Sequence, residues 1–495
     1  MKLAARRLIA TNLFTPSRSY PSYRTTMTNC ESLLDTITAH GPIYPVDATK
    51  IRVLRDPSEF YDELKTNIAT AKRRILLASL YLGTGIRERE LVDSIARRLE
   101  ESPTTRVDVL LDCIRGSRAS GGGGSGEKAT MTENSRTLLE PLLRRRPDRV
   151  TVSLYHTPNM LRIVKRLLPN KFKETLGLQH MKALVFDDTL LLTGANLSED
   201  YFTNRQDRYI VVSDAPRLAD FCARIVDVVA AHSYRLQKDG TLAMDSEIAD
   251  PLAFLSKDAY RQSMKDSICD VLESEVAATR GIPKTSDTWI CPLVQMGLYD
   301  LRHDQMATRA LLEGTDPGSS LSLATGYLNL TDEYVDLLMK SKAAYRVLTA
   351  SPQANGFLGA RGAAGHVPYA YIHIAKWFYE QISCSENLDR IYLEEFSRDK
   401  WTFHAKGLWY YLPGSALPDM TLIGSSNFGH RSVSRDLEMQ FGIVTKNETL
   451  RESLAKEHHH LFSYAEVLDS NTFQRDDRRV HWLQALVTRA IWSFL

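Results

Sequence analysis

A chain of 495 residues, 43% hydrophobic and 25% charged with 26 Gly and 19 Pro, has the composition of a folded protein with more than one domain. That composition excludes collagen-like, disordered and coiled-coil classes, and no stretch reaches the ~18–20 continuous apolar residues of a membrane-spanning helix, so a soluble or membrane-surface protein is expected. The formal charge of +2 hides an imbalance: residues 1–30 hold five basic side chains and no acid, so the remainder is slightly acidic, unlike a nucleic-acid binder.

Those first 30 residues are rich in Ser and Thr and interleave Leu3, Leu8, Ile9, Leu13 and Phe14 with Arg6 and Arg7, the pattern of a mitochondrial presequence. From residue 45 to about 240, strand-like and helix-like segments alternate. Arg74–Tyr81, Arg106–Asp112 and Val150–His156 read as buried strands. Gly121–Gly126 is followed by Glu127 and Lys128 rather than by the Gly-Lys pair of a phosphate loop, and reads as a surface insertion. In Leu161–Lys173, apolar residues including Leu161, Val164 and Leu168 alternate with Arg162, Lys165 and Arg166, as in a segment that lies on anionic lipid. Arg217–Leu236 carries a one-sided helical apolar period, and the whole is the signature of an α/β domain.

The polar stretch 241–288, with a helix expected near 258–277, connects to a second lobe over 289–475. His458–His460 falls on consecutive helical positions about 100° apart, which suits a solvated face better than a shared metal. Residues 476–495 are expected to form an amphipathic helix, a pattern that suits an ordinary core-facing helix better than a lipid anchor or a contact between copies of the chain. Six cysteines are scattered without a CxxC pair, which points to reduced thiols and to no zinc motif.

The second half repeats the first. Ala78-Ser-Leu-Tyr81-Leu82 is echoed by Ala324-Thr-Gly-Tyr327-Leu328, and His180-x-Lys182 by His404-x-Lys406. Gly194-Ala-Asn196 is matched by Gly424-Ser-Ser-Asn427. Asp207 stands eleven residues after Asn196, and Glu438 eleven after Asn427. Each half thus offers a His, a Lys, an Asn and a carboxylate in one order. Asp187 completes the first motif as H-x-K-x4-D, but its place at a hairpin tip suits support of the turn. Neutral imidazole can attack phosphorus and leave again, a second imidazole can move a proton near neutral pH, and Lys and Asn can bind phosphoryl oxygens. Asp207 and Glu438 can each fix a His tautomer.

With ASLYLGTG, QHMKALVFDDTLLLTGANLSEDYFTNRQDRY, TFHAKGLWYYL and LIGSSNFGHRSVSRDLE, the chain resembles the phospholipase D superfamily, and within it the mitochondrial phosphatidylglycerophosphate synthases. The resemblance implies two pseudo-symmetric α/β/α sandwich lobes with one shared active site at their interface. It implies CDP-diacylglycerol and sn-glycerol 3-phosphate as substrates, an anionic membrane surface as partner, and the matrix-facing inner mitochondrial membrane as location. A phosphatidylserine synthase or phospholipase is the alternative. Tyr411 stands where the superfamily has its second aspartate. His180 is expected to attack phosphorus and His404 to protonate departing CMP, with exchanged roles left open. No cofactor is required, although a divalent ion would help by neutralising the donor diphosphate. Tyr81, Arg115, Arg118, Arg205, Arg208 and Arg431 are candidate substrate contacts, as is a phosphate cradle at Gly83-Thr84-Gly85.

Overall fold

The computed structural model describes residues 26–119, 133–160, 174–282, 285–359, 365 and 367–492. The presequence through residue 25, the Gly121–Gly126 insertion and Leu161–Lys173 therefore lie outside the described residues.

Two large mixed sheets repeat one plan. In the first lobe β1 (Ile51–Leu54), β2 (Arg74–Ala78), β3 (Arg106–Asp112), β4 (Val150–Tyr155), β5 (Ala183–Phe186), β6 (Thr189–Thr193), β7 (Tyr209–Val212) and β8 (Tyr234–Leu236) lie in the order β8-β4-β3-β2-β5-β6-β7-β1. In the second lobe β9 (Thr288–Met296), β10 (Ser320–Thr325), β11 (Ala344–Ala350), β12 (Ile391–Phe396), β13 (Lys406–Tyr411), β14 (Met420–Gly424), β15 (Leu437–Thr445) and β16 (Ala465–Val467) lie in the order β16-β12-β11-β10-β13-β14-β15-β9. Adding eight to each label of the first order gives the second. The strands β2, β3 and β4, like β10, β11 and β12, are parallel, and the motif strands run antiparallel beside them.

Both faces of each sheet are covered, which is why β5 reads as an unbroken apolar run and why every residue of β15 is buried, its Glu438 and Gln440 included. Helices Pro57–Thr70, Ile86–Glu101 and Ser135–Arg145 cover the outer face of the first sheet. The first of these starts on a capping box of Asp56 and Glu59 with Pro57 at its first position. Helices Cys30–Thr38, His303–Glu313, Asp332–Lys340 and Val367–Cys384 cover the outer face of the second. Between the sheets lies a shared core built from β5 and β6, β14 and β15, and helices Pro216–Ala231, Lys257–Thr279 and Glu448–Phe462.

The structure redraws several expected boundaries. The expected inter-lobe connection contributes helix Lys257–Thr279, whose Tyr260, Met264, Ile268 and Leu272 recur every fourth residue and are buried in the shared core. The helix expected over Arg217–Leu236 ends at Ala231, because Tyr234–Leu236 turns back to pair with β4. Residues 26–30, inside the expected presequence range, belong to the folded body. Met27 is fully buried and donates its N–H to the Gly314 carbonyl, and Leu33, Leu34 and Ile37 enter the outer core of the second lobe. Tyr44–Pro45 then pairs with β9, so residues 26–45 form a strap on the second lobe, ahead of the first. His458 is buried rather than solvated: its Nδ1 lies 2.8 Å from Tyr411 Oη and its ring packs on Trp409 and Phe462. At the other end, the Trp492 ring meets Trp377 and His373 edge-on, which seats the end of helix Trp482–Ile491 on helix Val367–Cys384.

Candidate active site

Each catalytic-motif histidine sits just ahead of its sheet, one step earlier than a strand through the whole motif would place it. The reason is a backbone exchange between the lobes. His180 N–H donates to Leu437 O (3.0 Å) and Leu437 N–H to Leu178 O (2.9 Å). In the other copy His404 N–H donates to Gln206 O (2.8 Å), and Thr402–Phe403 pairs in parallel with Arg205–Gln206. Each histidine is thus laddered to the residue that precedes the other lobe's carboxylate.

The side chains follow that register and cross the seam. His180 Nδ1 lies 2.9 and 3.0 Å from the two Glu438 carboxylate oxygens, and His404 Nδ1 lies 2.7 Å from Asp207 Oδ2. Each carboxylate has a second anchor: Ser432 Oγ donates to Glu438 at 2.9 Å, and the Arg208 N–H donates to Asp207 at 2.8 Å. Lys182 Nζ donates to the His180 carbonyl at 2.7 Å. Lys406 Nζ donates to the His404 carbonyl at 3.0 Å and stands 2.8 and 3.1 Å from the two ring nitrogens of His404. The lobes meet on glycine: a Cβ at Gly194 would lie 2.8 Å from Gly424 O and 3.1 Å from Lys406 Cδ.

Burial governs the electrostatics. It holds both imidazoles well below the ordinary histidine range, helped by the nearby lysines. His180 itself is among the groups acting on His404, so the two halves share one charge cluster. Burial lowers Lys182 to about 7 and Lys406 to about 8, and raises Asp207 to about 6 and Glu438 above its usual range. Near neutral pH the centre therefore holds two carboxylates, a charged Lys406 and a Lys182 close to its own titration around uncharged imidazoles.

Asn196 donates to Tyr201 Oη at 2.9 Å, and the carbonyl oxygens of Asn196 and Asn427 have no partner among the described residues. Aromatic walls that the motifs did not reveal frame the centre. Tyr201 and Tyr327 meet the His404 ring edge-on at 4.9 and 5.8 Å, and Tyr371 packs on Tyr327 at 5.4 Å. Only Tyr327 had a signal in the sequence, as the counterpart of Tyr81 in the repeat. Tyr81 itself bonds Ser198 Oγ at 3.1 Å and carries the Arg115 guanidinium 4.8 Å above its ring.

The expected phosphate contacts divide. Arg115 and Arg118 both pair with Glu174, at 3.1 and 3.0 Å. Arg205 pairs with Asp200, donates to Thr402 Oγ1 and lies over the Tyr201 ring beside His404. Arg431 pairs with Asp436 at 3.1 Å and is among the charges acting on His180. Arg208 is not a substrate contact: it is fully buried, holds Glu457 with two nitrogens, donates to Leu422 O and Thr421 Oγ1, and stacks 3.8 Å from Trp409. It is an inter-lobe clamp.

Gly83-Thr84-Gly85 is not a phosphate cradle either. The Gly83 N–H donates to Leu197 O, and both glycines make room for the buried Glu88 carboxylate, which a Cβ at Gly83 would meet at 2.1 Å. Asp187, grouped with the catalytic residues by its motif, serves the turn. At φ 52° its carboxylate accepts the N–H groups of Lys72, Arg73 and Arg74 at 2.8, 2.7 and 3.0 Å. Its counterpart Tyr411 instead bonds His458 where the second lobe replaces the tight turn by residues 412–419.

No protein-family model matches the chain. Among curated proteins it is similar to the mitochondrial CDP-diacylglycerol–glycerol-3-phosphate 3-phosphatidyltransferase of Gallus gallus, 43% identical over 485 residues that span 92% of this chain and 85% of that one. The enzyme of the same name from Homo sapiens is 42% identical over 92% of this chain and 84% of its own length. The CDP-diacylglycerol–glycerol-3-phosphate 3-phosphatidyltransferase of Saccharomyces cerevisiae is 33% identical over 87% and 85%. Among solved structures the fold matches a phosphatidylserine synthase from Haemophilus influenzae with a TM-score of 0.70, at 18% identity, over 93% of this chain and 97% of that one.

Proposed function

The chain belongs to the CDP-diacylglycerol–glycerol-3-phosphate 3-phosphatidyltransferase family, and from that premise we propose that its two histidines divide one double displacement between them. The enzyme transfers the phosphatidyl group of CDP-diacylglycerol to glycerol 3-phosphate and releases CMP. The observation that carries the mechanism is the crossed pairing of His180 with Glu438 and His404 with Asp207.

Glu438 accepts from Nδ1 of His180, which leaves the Nε2 lone pair for attack on phosphorus. The His180 side chain keeps 10% of its surface open against 4% for His404, whose nitrogens face Lys406. This supports His180 as nucleophile. As the donor diphosphate enters the centre, its negative charge favours a proton on His404. The phosphorus–nitrogen bond to His180 forms while the phosphorus–oxygen bond to CMP breaks, and His404 gives its proton to the departing oxygen. His404 then takes the proton of the glycerol 3-phosphate primary hydroxyl as that oxygen attacks and the bond to His180 breaks. Lys182, Lys406, Asn196 and Asn427 hold the phosphoryl oxygens as charge grows, the amides turning their N–H groups to face them. The steps balance without a metal, and a divalent cation would act on the donor diphosphate alone.

The lipid donor brings the enzyme to a bilayer. Docking through Leu161, Arg162, Val164, Lys165, Arg166 and Leu168 is supported by what flanks that segment, itself outside the described residues. Asn159 accepts from Arg261, and the same helix follows Phe254 and Leu255, which are 67% and 95% exposed. No helix among the described residues is long and apolar enough to cross a membrane. The animal relatives are named mitochondrial, and the matrix face of the inner membrane is the location proposed.

Incubation of purified protein with CDP-diacylglycerol and labelled glycerol 3-phosphate, with water, serine and phosphatidylglycerol as competitors, tests the reading. Phosphatidylglycerophosphate should form, and His180→Ala or His404→Ala should each lower its rate by roughly a thousandfold or more. Full activity in either variant would refute the shared centre.

A further inference from the structure

The acceptor must be held by its phosphate while its hydroxyl attacks, and the structure assigns that task to Arg115 and Arg118, with Glu174 seated in the subsite as an internal stand-in for the phosphate. This rests on the transfer to glycerol 3-phosphate proposed above. Of the five arginines near the centre, Arg208 is committed to Glu457 and the backbone of the other lobe. Arg205 is shared among Asp200, Thr402 and the Tyr201 ring beside His404, and Arg431 is tied to Asp436. Arg115 and Arg118 differ: two guanidiniums share one carboxylate, Arg115 on Oε2 and Arg118 on Oε1. Two donors on two oxygens of one anion is the way phosphate is also held.

Charge selects the ligand. Two guanidiniums against one carboxylate leave an excess of one positive charge. A phosphomonoester carries about −1.5 to −2 near pH 7 and would cancel the pair, whereas each phosphate of the donor carries a single charge and would gain nothing over Glu174. The subsite therefore fits the acceptor's monoester and not the donor's diester. It is also rigid. Arg115 lies in the helical turn Cys113–Gly116, where Asp112 accepts the Ile114 and Arg115 N–H groups at 2.9 Å, and the same carboxylate accepts the Gln179 N–H next to His180. Arg115 stacks on Tyr81, whose hydroxyl bonds Ser198, two residues beyond Asn196. On the other side the Glu174 carbonyl accepts from Arg431, beside His180. The subsite thus borders the reacting phosphorus, and Arg118, with a side chain 43% exposed, opens it to solvent.

Glu174 then competes with the acceptor. In the full-length protein assayed on CDP-diacylglycerol vesicles, Glu174→Gln should lower KM for glycerol 3-phosphate about fivefold and the inhibition constant of inorganic phosphate in parallel. KM for CDP-diacylglycerol should move less than about twofold, and glycerol, which lacks the phosphate, should gain nothing as acceptor. Arg115→Gln or Arg118→Gln should raise KM for glycerol 3-phosphate about tenfold or more. A rise in that KM in Glu174→Gln would show a structural brace and overturn the proposal, as would a shift confined to the donor or an equal gain for glycerol. Calorimetric titration with inorganic phosphate, without turnover, gives an independent reading: Arg118→Gln should bind it about tenfold more weakly than the natural protein, and equal binding overturns the subsite. Failure of the natural protein to transfer to glycerol 3-phosphate while binding phosphate through Arg118 would fall on the proposed function and leave the anion subsite standing.

Discussion

A histidine in this centre takes its orientation from a carboxylate in the opposite lobe. His180 and Glu438, and His404 and Asp207, are each separated by about two hundred residues or more, so the sequence showed which groups belong to the site but not who partners whom. The equal offsets from Asn to carboxylate made the set legible, because both lobes need the same turn to bring those groups to one seam. Asp187 belongs to a motif that is catalytic in form, but its place at the hairpin tip already suited a turn role, and its side chain is spent on three backbone N–H groups of the neighbouring turn. The perturbed groups give a pH prediction. Below about 6 Asp207 gains a proton and ceases to accept from His404, while above about 7 Lys182, and above about 8 Lys406, lose the protons that supply their charge. The pH profile of kcat/KM should therefore be a narrow bell that rises near 6 and begins to fall near 7. Lys182→Arg should move the start of the basic limb upward toward about 8, since guanidinium stays charged, and leave the acid limb in place.

Among the elements, the strands were read well because buried β-branched and aliphatic runs announce themselves. Edge strands and clamps were not. Tyr234–Leu236 continues a helical-looking pattern and is recruited only because β4 offers an unpaired edge. Arg208 looked like a phosphate ligand from its place beside Asp207. Its actual partners, Glu457 on helix Glu448–Phe462 and Trp409 on β13, come from distant sequence. Gly407 belongs to the same clamp: at φ +135° it lies where any Cβ would meet Arg208 Nη1 and Leu422 O at 2.2 Å. Arg208→Ala should leave Glu457 buried without its partner and cost about 3–5 kcal/mol of stability, read as a lower midpoint in chemical denaturation. An unchanged midpoint would mean that Glu457 finds another partner.

At the scale of the molecule, two copies of one sheet order place the histidine of each lobe against a carboxylate of the other. The duplication was visible in the sequence as paired motifs, and the helix expected near 258–277 is present as Lys257–Thr279, whereas its burial in a core shared by the two sheets was not legible, because a polar connecting stretch hides a four-residue apolar period. Two histidines flanking one phosphorus allow two in-line displacements, so a chiral thiophosphate donor should give product with retained configuration at phosphorus, and inversion would exclude the covalent intermediate. The strap of residues 26–45 bears on how such a molecule is made. Its strand partner, Thr288–Met296, emerges from the ribosome or an import channel only after the entire first lobe. A capped helix with Leu33, Leu34 and Ile37 on its apolar side must stay uncovered until then. A segment made before the first lobe is therefore sealed by the lobe made after it, which makes the nascent chain a natural client for chaperones during that interval.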